Sequence, residues 1–293
     1  LAGFSLYFRG VAHRNVILET PLPAFGRRPA ETARWHLRCS GEGPGIVLAM
    51  HGFGQSAAYF DHLAKPLHGI AEVWSLDMPA HGKTEWPPAR PCHPQDLVAL
   101  LETVKEQSGK PVTVLGFSMG GRYAGALAQV APERLQALHL VAPEMLRPNR
   151  GQRLGTGTWL GRWLLRYIIE HPGAVLNPIR WLEKSGIVSR KMAEFVRANL
   201  GTQALRQQLH DTWHTMSGLP AEPSALATAA NQAELSVQLW VGQRDPLVRV
   251  EDAQTLATML SNGALTVMDR GHFVAAAPGF ARGLAEGWPE RSQ

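Results

Sequence analysis

The stretch Val112-Thr113-Val114-Leu115-Gly116-Phe117-Ser118-Met119-Gly120-Gly121 decides how this chain is read. Its first residues, aliphatic with one β-branched threonine, suit a buried strand. Arg122-Tyr123-Ala124-Gly125-Ala126-Leu127-Ala128 follows as a small-residue helical run. Ser118 stands between the two, in the pattern Gly116-x-Ser118-x-Gly120. A nucleophilic serine has to sit on a tight strand-to-helix turn with its Oγ exposed, and flanking glycines supply room for that turn. The helix start adds unpaired N–H groups that favour negative charge. Three small residues in five positions arise often by chance, so the pattern takes its weight from the strand and the helix around it.

Working outward, Ile46-Val47-Leu48-Ala49-Met50 is a continuous apolar run, hence a fully buried strand, and it enters His51-Gly52-Phe53-Gly54. Residues 56–68 read as a helix with Tyr59, Phe60, Leu63 and Leu67 on one side. Residues 73–76 read as a strand that ends at Asp77-Met78-Pro79-Ala80-His81-Gly82-Lys83-Thr84, and residues 95–108 as a helix. Nearer the start, Ala33, Trp35, Leu37 and Cys39 alternate with Arg34, His36 and Arg38, a half-buried antiparallel strand. Weak alternation over residues 4–20 suits an edge strand. Residues 135–141 give one more strand, and then the rhythm stops.

Residues 144–231 carry helical patterns at 159–170, 190–200 and 203–216, several tryptophans and no convincing strand. The rhythm returns with strands at 235–241 and 264–268 and helices at 250–260 and 278–286. Alternating strands and helices predict an α/β architecture: a mostly parallel, doubly wound sheet of about eight strands. The core would comprise residues 1–143 and 232–293, with residues 144–231 as an inserted helical cap. Sites in such sheets lie at the carboxyl ends of the strands, and His51, Asp77 and Ser118 all fall there.

A serine nucleophile needs a base, a group to orient that base, and donors for an oxyanion. The candidate acid is Asp245, in Gly242-Gln243-Arg244-Asp245-Pro246. Its rivals are Asp252, which a helix start explains, and Asp269, three residues from the base. The candidate base is His272, in Asp269-Arg270-Gly271-His272-Phe273, just past the last strand. The oxyanion donors would be the backbone N–H groups of Met119 and Phe53. His51 reads as a brace for the oxyanion loop, and Asp77 and His81 as residues that fix their own loop. Asp61 and His62 read as solvated residues on a surface helix.

With these residues in order, the chain resembles the α/β-hydrolase fold with a helical cap. The landmarks are His51-Gly52-Phe53-Gly54, Asp77 to Thr84, Gly116 to Gly121, Asp245 and Gly271-His272-Phe273, and the resemblance covers nearly all of residues 45–290. The order Ser, Asp, His is the order of that fold. Ala80 stands where Gly is usual, and Thr84 where Ser is common. The resemblance implies a serine hydrolase cleaving a carboxylic ester or related acyl compound through an acyl-enzyme on Ser118, with no cofactor. Carbon–carbon bond hydrolases, enol-lactonases and menaquinone-pathway lyases share the scaffold, and Arg122 after the double glycine is similar to the lyase segment. Arg122 could then bind a substrate carboxylate, the other reading being an ordinary helix arginine. Trp159, Trp163, His214 and Phe273 are the other candidates for substrate contact. A non-catalytic binding protein on the same fold is the reading from a different class.

Composition bounds the alternatives. The chain has 293 residues, of which 45% are hydrophobic and 18% charged, enough for one large domain with an insertion. No apolar run approaches the length of a transmembrane helix. The chain starts at Leu1, which leaves open a targeting segment upstream. Cys39 and Cys92 have no ligand spacing and are compatible with a reducing compartment, so a cytoplasmic location is expected. The net charge is +5, yet no lysine run or nucleic-acid module is present, and a small acyl molecule is the expected partner. His210 and His214 lie four apart on a helix without a third ligand, so no metal is expected. Arg147, Arg150, Arg153, Arg162 and Arg166 interleave with apolar residues in a stretch free of Asp and Glu. That suits a solvated basic face, a surface drawing an anionic or acyl substrate, or contact with anionic lipid.

Overall fold

The computed structural model describes residues 12–146, 167, 171, 173–187, 190, 193–194, 201–220 and 222–288. Its strands are β1 (His13–Leu22), β2 (Glu31–Ser40), β3 (Gly45–Met50), β4 (Ala71–Leu76), β5 (Val112–Phe117), β6 (Ala137–Val141), β7 (Val237–Gly242) and β8 (Gly263–Met268). Among the described residues they form one eight-stranded sheet in the order β1-β2-β4-β3-β5-β6-β7-β8. β2 pairs antiparallel with both β1 and β4, and every other pair is parallel.

The apolar runs explain where each strand sits. Every residue of β3, β5 and β6 is buried, so both faces of the sheet centre are covered, as parallel strands require. β8, at the edge, is exposed or half-buried throughout. The order of the sheet reverses at β3, since the chain leaves it on one side for β4 and returns on the other as β5. Such a reversal opens a crevice at the carboxyl ends of the strands.

The helices that go with the sheet are α1 (Pro94–Ser108), α2 (Met119–Val130), α5 (Pro223–Gln232), α6 (Val250–Met259) and α7 (Pro278–Glu286); α3 (Gly173–Lys184) and α4 (Gln203–Met216) come between α2 and α5 in the chain. α1 starts at a capping box, in which Asp96 accepts the His93 N–H at 2.8 Å, and ends at Gly109. The segment expected as a helix over 56–68 is a 3-10 helix at Ala57–Leu63 followed by turns. Its buried residues are Ala57, Phe60 and Leu63, a spacing of three that matches three residues per turn.

The chain divides into two compact units. One comprises residues 1–87, 92–148 and 219–293 and holds the sheet; the other comprises residues 88–91 and 149–218. Residues 219–231, expected in the cap, go with the sheet because α5 buries Leu226, Ala227 and Ala230 and packs along α2 and α6. In the second unit, α3 (Gly173–Lys184) carries Pro178 inside it, and α4 (Gln203–Met216) is capped by Thr202, whose Oγ1 accepts the Leu205 N–H at 3.2 Å. Trp159, Trp163 and the arginines 147, 150, 153, 162 and 166 lie outside the described residues, as do most of the patterns at 159–170 and 190–200.

Candidate active site

Ser118 occupies the turn between β5 and α2 with φ 53° and ψ −115°, a left-handed conformation that a residue with a Cβ adopts only under constraint. Its N–H donates to the Val141 carbonyl at 2.9 Å, and its carbonyl accepts from the N–H groups of Gly121 and Glu144, each at 3.0 Å. Close packing makes glycine obligatory at position 120, where a Cβ would meet the Met50 carbonyl group. That clash is with backbone, which cannot rotate away. The serine itself is half-buried, so its Oγ is reachable.

β7 and β8 deliver the other two side chains to the same place. Beyond the strands the loops stay zipped: Gln243 N–H donates to the Met268 carbonyl and Arg244 N–H to the Arg270 carbonyl, both at 2.8 Å. Gly242 allows this, because a Cβ there would run into the carbonyls of Arg270 and Gly271. Asp245 and His272 are thereby held side by side. Asp245 Oδ1 accepts the N–H groups of Leu247 at 2.8 Å and Val248 at 3.1 Å. Its Oδ2 lies 2.8 Å from His272 Nδ1, and His272 Nε2 lies 2.9 Å from Ser118 Oγ. The Asp245 side chain is fully buried, while that of His272 keeps a narrow exposed face. The rival carboxylates are engaged elsewhere, Asp252 with Arg249 at 3.3 Å and Asp269 with Arg244 at 3.0 Å on the surface.

The turn after β3 lies against the serine, since a Cβ on Gly52 would stand 3.2 Å from Ser118 Cβ. Two histidines grip this turn. His51 Nδ1 donates to the Gly52 carbonyl at 2.8 Å and its Nε2 accepts the Met78 N–H at 3.1 Å. His81 Nδ1 donates to the Pro79 carbonyl at 3.1 Å and its Nε2 accepts the Gly54 N–H at 3.1 Å. Both patterns demand a neutral ring with its proton on Nδ1. Burial enforces this, pushing His51 down to about 3 and lowering His81 as well. Phe53, between the two gripped residues, makes no hydrogen bond through its N–H among the described residues. The N–H of Met119, in the first turn of α2, has no intrahelical acceptor.

Asp77 anchors the neighbouring loop. Its Oδ1 accepts the Ala57 N–H at 2.7 Å, and its Oδ2 meets the Lys83 N–H at 2.9 Å and His36 Nδ1 at 2.7 Å. Thr84 Oγ1 donates to the Asp77 carbonyl at 2.6 Å. Ala80 has φ 64°, which explains why glycine is usual at that position.

The remaining candidates divide. Phe273 is exposed beside the base, its ring 6.2 Å from that of Phe117, which in turn lies 5.3 Å from the His272 ring. Arg122 is buried and faces Glu144, with Nη2 3.4 Å from Oε1, an ion pair that takes up the charge a substrate carboxylate would need. Burial raises the Glu144 carboxyl and Arg122 opposes that rise. His214 belongs to the second unit, where its Nε2 lies 3.1 Å from the Ala89 carbonyl, and its ring stacks with that of His210 at 6.2 Å. No cluster of three metal-ligating side chains occurs among the described residues. No helix among them is long and apolar enough to cross a membrane.

Asp61 and His62 are half-buried and held by partners, not free on the surface. Asp61 pairs with Arg38 at 2.6 Å, and His62 sits between two carbonyls, Tyr59 O at 3.0 Å and Ala275 O at 2.7 Å. No sequence pattern announces His62 or Glu144, since their partners are distant in the chain or are backbone atoms. Both cysteines are buried, and burial pushes the Cys39 thiol up to about 12.

The chain is similar to several known proteins. A sequence model described as the alpha/beta hydrolase fold matches residues 45–273. A stretch of 107 residues is 32% identical to the pimeloyl-[acyl-carrier protein] methyl ester esterase of Nitrosomonas europaea, covering 36% of this chain and 40% of that relative. The protein of the same name from Chromobacterium violaceum is 27% identical over 256 residues, covering 84% of this chain and 94% of that relative. A thermophilic esterase from Thermogutta terrifontis superposes with a TM-score of 0.64 at 17% identity, covering 92% and 97% of the two chains; this likeness is one of fold.

Proposed function

Because the chain belongs to the α/β-hydrolase fold family, we propose that it is a serine hydrolase of carboxylic esters, with Ser118 as nucleophile, His272 as base and Asp245 as the group that orients the base. The observation that carries this reading is the unbroken path from Asp245 Oδ2 through His272 to Ser118 Oγ, with links of 2.8 and 2.9 Å. Asp245 keeps the proton of neutral His272 on Nδ1, leaving the Nε2 lone pair toward Ser118. As Oγ attacks the ester carbonyl carbon, its proton passes to Nε2, and Asp245 stabilises the imidazolium. The carbonyl oxygen becomes an oxyanion and takes the N–H groups of Phe53 and Met119. Removing one such donor typically costs about 3–4 kcal/mol of transition-state stabilisation. Collapse releases the alcohol, which takes the proton from Nε2. Water then attacks the acyl-enzyme, giving its proton to His272, and the acid leaves as Ser118 regains a proton.

The relatives' names point to a substrate class: a methyl ester on an acyl chain joined to an acyl carrier protein. We extend that class to this chain. The basic stretch Arg147 to Arg166 offers positive charge to an anionic substrate.

The test is hydrolysis of p-nitrophenyl esters of graded chain length, together with labelling by a fluorophosphonate. The intact protein should turn over the short esters and be labelled at Ser118, and Ser118→Ala should lose both. An intact protein that hydrolyses no ester of the series and resists the probe overturns the reading. Methyl esters of carrier-bound and free dicarboxylic acids then test the substrate class, with the carrier-bound ester preferred.

A further inference from the structure

We propose that His62 is a positioning residue that ties the oxyanion side of the site directly to the loop of the catalytic base. This inference rests on the roles proposed above for His272 and Phe53. The two halves of the machinery come from strands that do not touch: Phe53 follows β3 and His272 follows β8, and β5, β6 and β7 lie between them. Each pair of neighbouring strands is rotated by the sheet's twist, so errors in the relative placement of their ends accumulate across the intervening strands. His62 bypasses them. It lies on the 3-10 helix Ala57–Leu63, a few residues beyond the oxyanion turn, and its Nε2 meets the Ala275 carbonyl at 2.7 Å. Ala275 belongs to the 3-10 turn Val274–Ala276 that follows His272 and Phe273, and the Val274 N–H of this turn donates to the His272 carbonyl at 2.9 Å. The tie joins positions 213 residues apart in the chain.

Both ends of the tie are themselves anchored. The 3-10 helix is fixed at its start by the Ala57 N–H on Asp77 Oδ1 and in its middle by the Arg38–Asp61 pair. Tyr59, whose carbonyl faces the other ring nitrogen of His62, stacks on Phe117 at 5.1 Å, next to Ser118. Asp61, already paired with Arg38, and the rings of Tyr59 and Phe60 lie near the imidazole. A carbonyl accepts and cannot donate, so two carbonyls require the ring to be the donor. The neutral ring can donate to one carbonyl only, and the shorter contact, from Nε2 to the Ala275 carbonyl, favours the proton there; the protonated ring donates to Tyr59 as well. The tie to Ala275 therefore persists through titration of the ring.

Three variants read this role. His62→Gln places an amide N–H near the position of Nε2, whereas His62→Asn reaches only toward Tyr59 and His62→Leu has no donor. Misplacement of a catalytic group by about 1 Å costs on the order of 100-fold in rate. We expect His62→Leu and His62→Asn to lose about 10- to 100-fold in kcat on a short p-nitrophenyl ester, with KM within about threefold. We expect His62→Gln to recover most of the loss. Folding is checked by Tm in each case. Wild-type kcat in folded His62→Leu and His62→Asn overturns the proposal, as does a loss that Gln does not recover. Ser118→Ala and His272→Ala run alongside: activity surviving in those two overturns the site reading itself, whereas their silence with an unchanged His62→Leu overturns only the tie.

Discussion

The Asp245 carboxylate shows how much a single side chain is asked to do. It is fully buried, accepts two backbone N–H groups on one oxygen and faces the base with the other. An amide in its place can keep the shape while presenting a donor where the His272 Nδ1 proton needs an acceptor. The ring then holds its proton on the nitrogen that faces Ser118. Asp245→Asn should therefore lower kcat by about four orders of magnitude with little change in KM or Tm, read by steady-state kinetics and thermal melts. At this scale the sequence was informative where residue type and strand position combine, as at Ser118, Asp245 and His272. It was silent on His62, which reads as one more surface histidine, because a backbone carbonyl carries no residue identity. On Arg122 it left two readings open, a carboxylate ligand and an ordinary helix arginine. The lyase-like neighbourhood suggests a carboxylate ligand, but the carboxylate beside it is Glu144 of the same chain.

The element that sets the site's tolerance is the junction of β5 and α2. α2 approaches the end of β3 so closely that position 120 has no room for a methyl group. Gly120→Ala should force the helix start away from Met50 and the serine with it. We expect a loss of about 1–3 kcal/mol in stability, seen by denaturant unfolding, and a fall in fluorophosphonate labelling larger than the stability change accounts for. The glycine pattern made this junction legible, as the apolar runs made β3, β5, β6 and β7 legible. The 3-10 helix at Ala57–Leu63 reads in the sequence as a longer helix, because apolar residues spaced three and four apart fit both helix types until burial separates them. The boundary of the inserted unit was harder still. α5 lies in a stretch where the sequence showed no separate pattern, and only its packing on α2 and α6 assigns it to the sheet.

For the molecule as a whole, buried histidines couple stability to pH. Burial lowers His51 to about 3 and His139 to about 4, and it lowers His62 and His81 too. The fold holds these rings neutral, while the unfolded chain takes up protons near pH 6.5. Their contribution is complete above about pH 6.5 and is lost as pH falls toward the folded values. Each such ring costs about 1.4 kcal/mol per pH unit inside that window. Tm should be flat above about pH 7 and fall steeply below about pH 6. His139 accepts the Trp240 Nε1–H at 3.4 Å, so His139→Leu should be less stable at pH 8 by about 1–2 kcal/mol. It should then lose less than the wild type between pH 7 and 5, a difference that melts at several pH values would reveal.

The two cysteines give that unfolding a built-in reporter. Cys39 faces the core from β2 with its thiol pushed up to about 12, and Cys92 is buried just before α1. A disulfide reagent added to the folded protein meets no accessible thiolate, so its colour develops only as fast as the sheet unit opens. The rate of modification becomes a clock for opening that needs no label, no denaturant and no substrate. Separating the two sites by mass would show whether the β2 region and the segment before α1 open together or in turn.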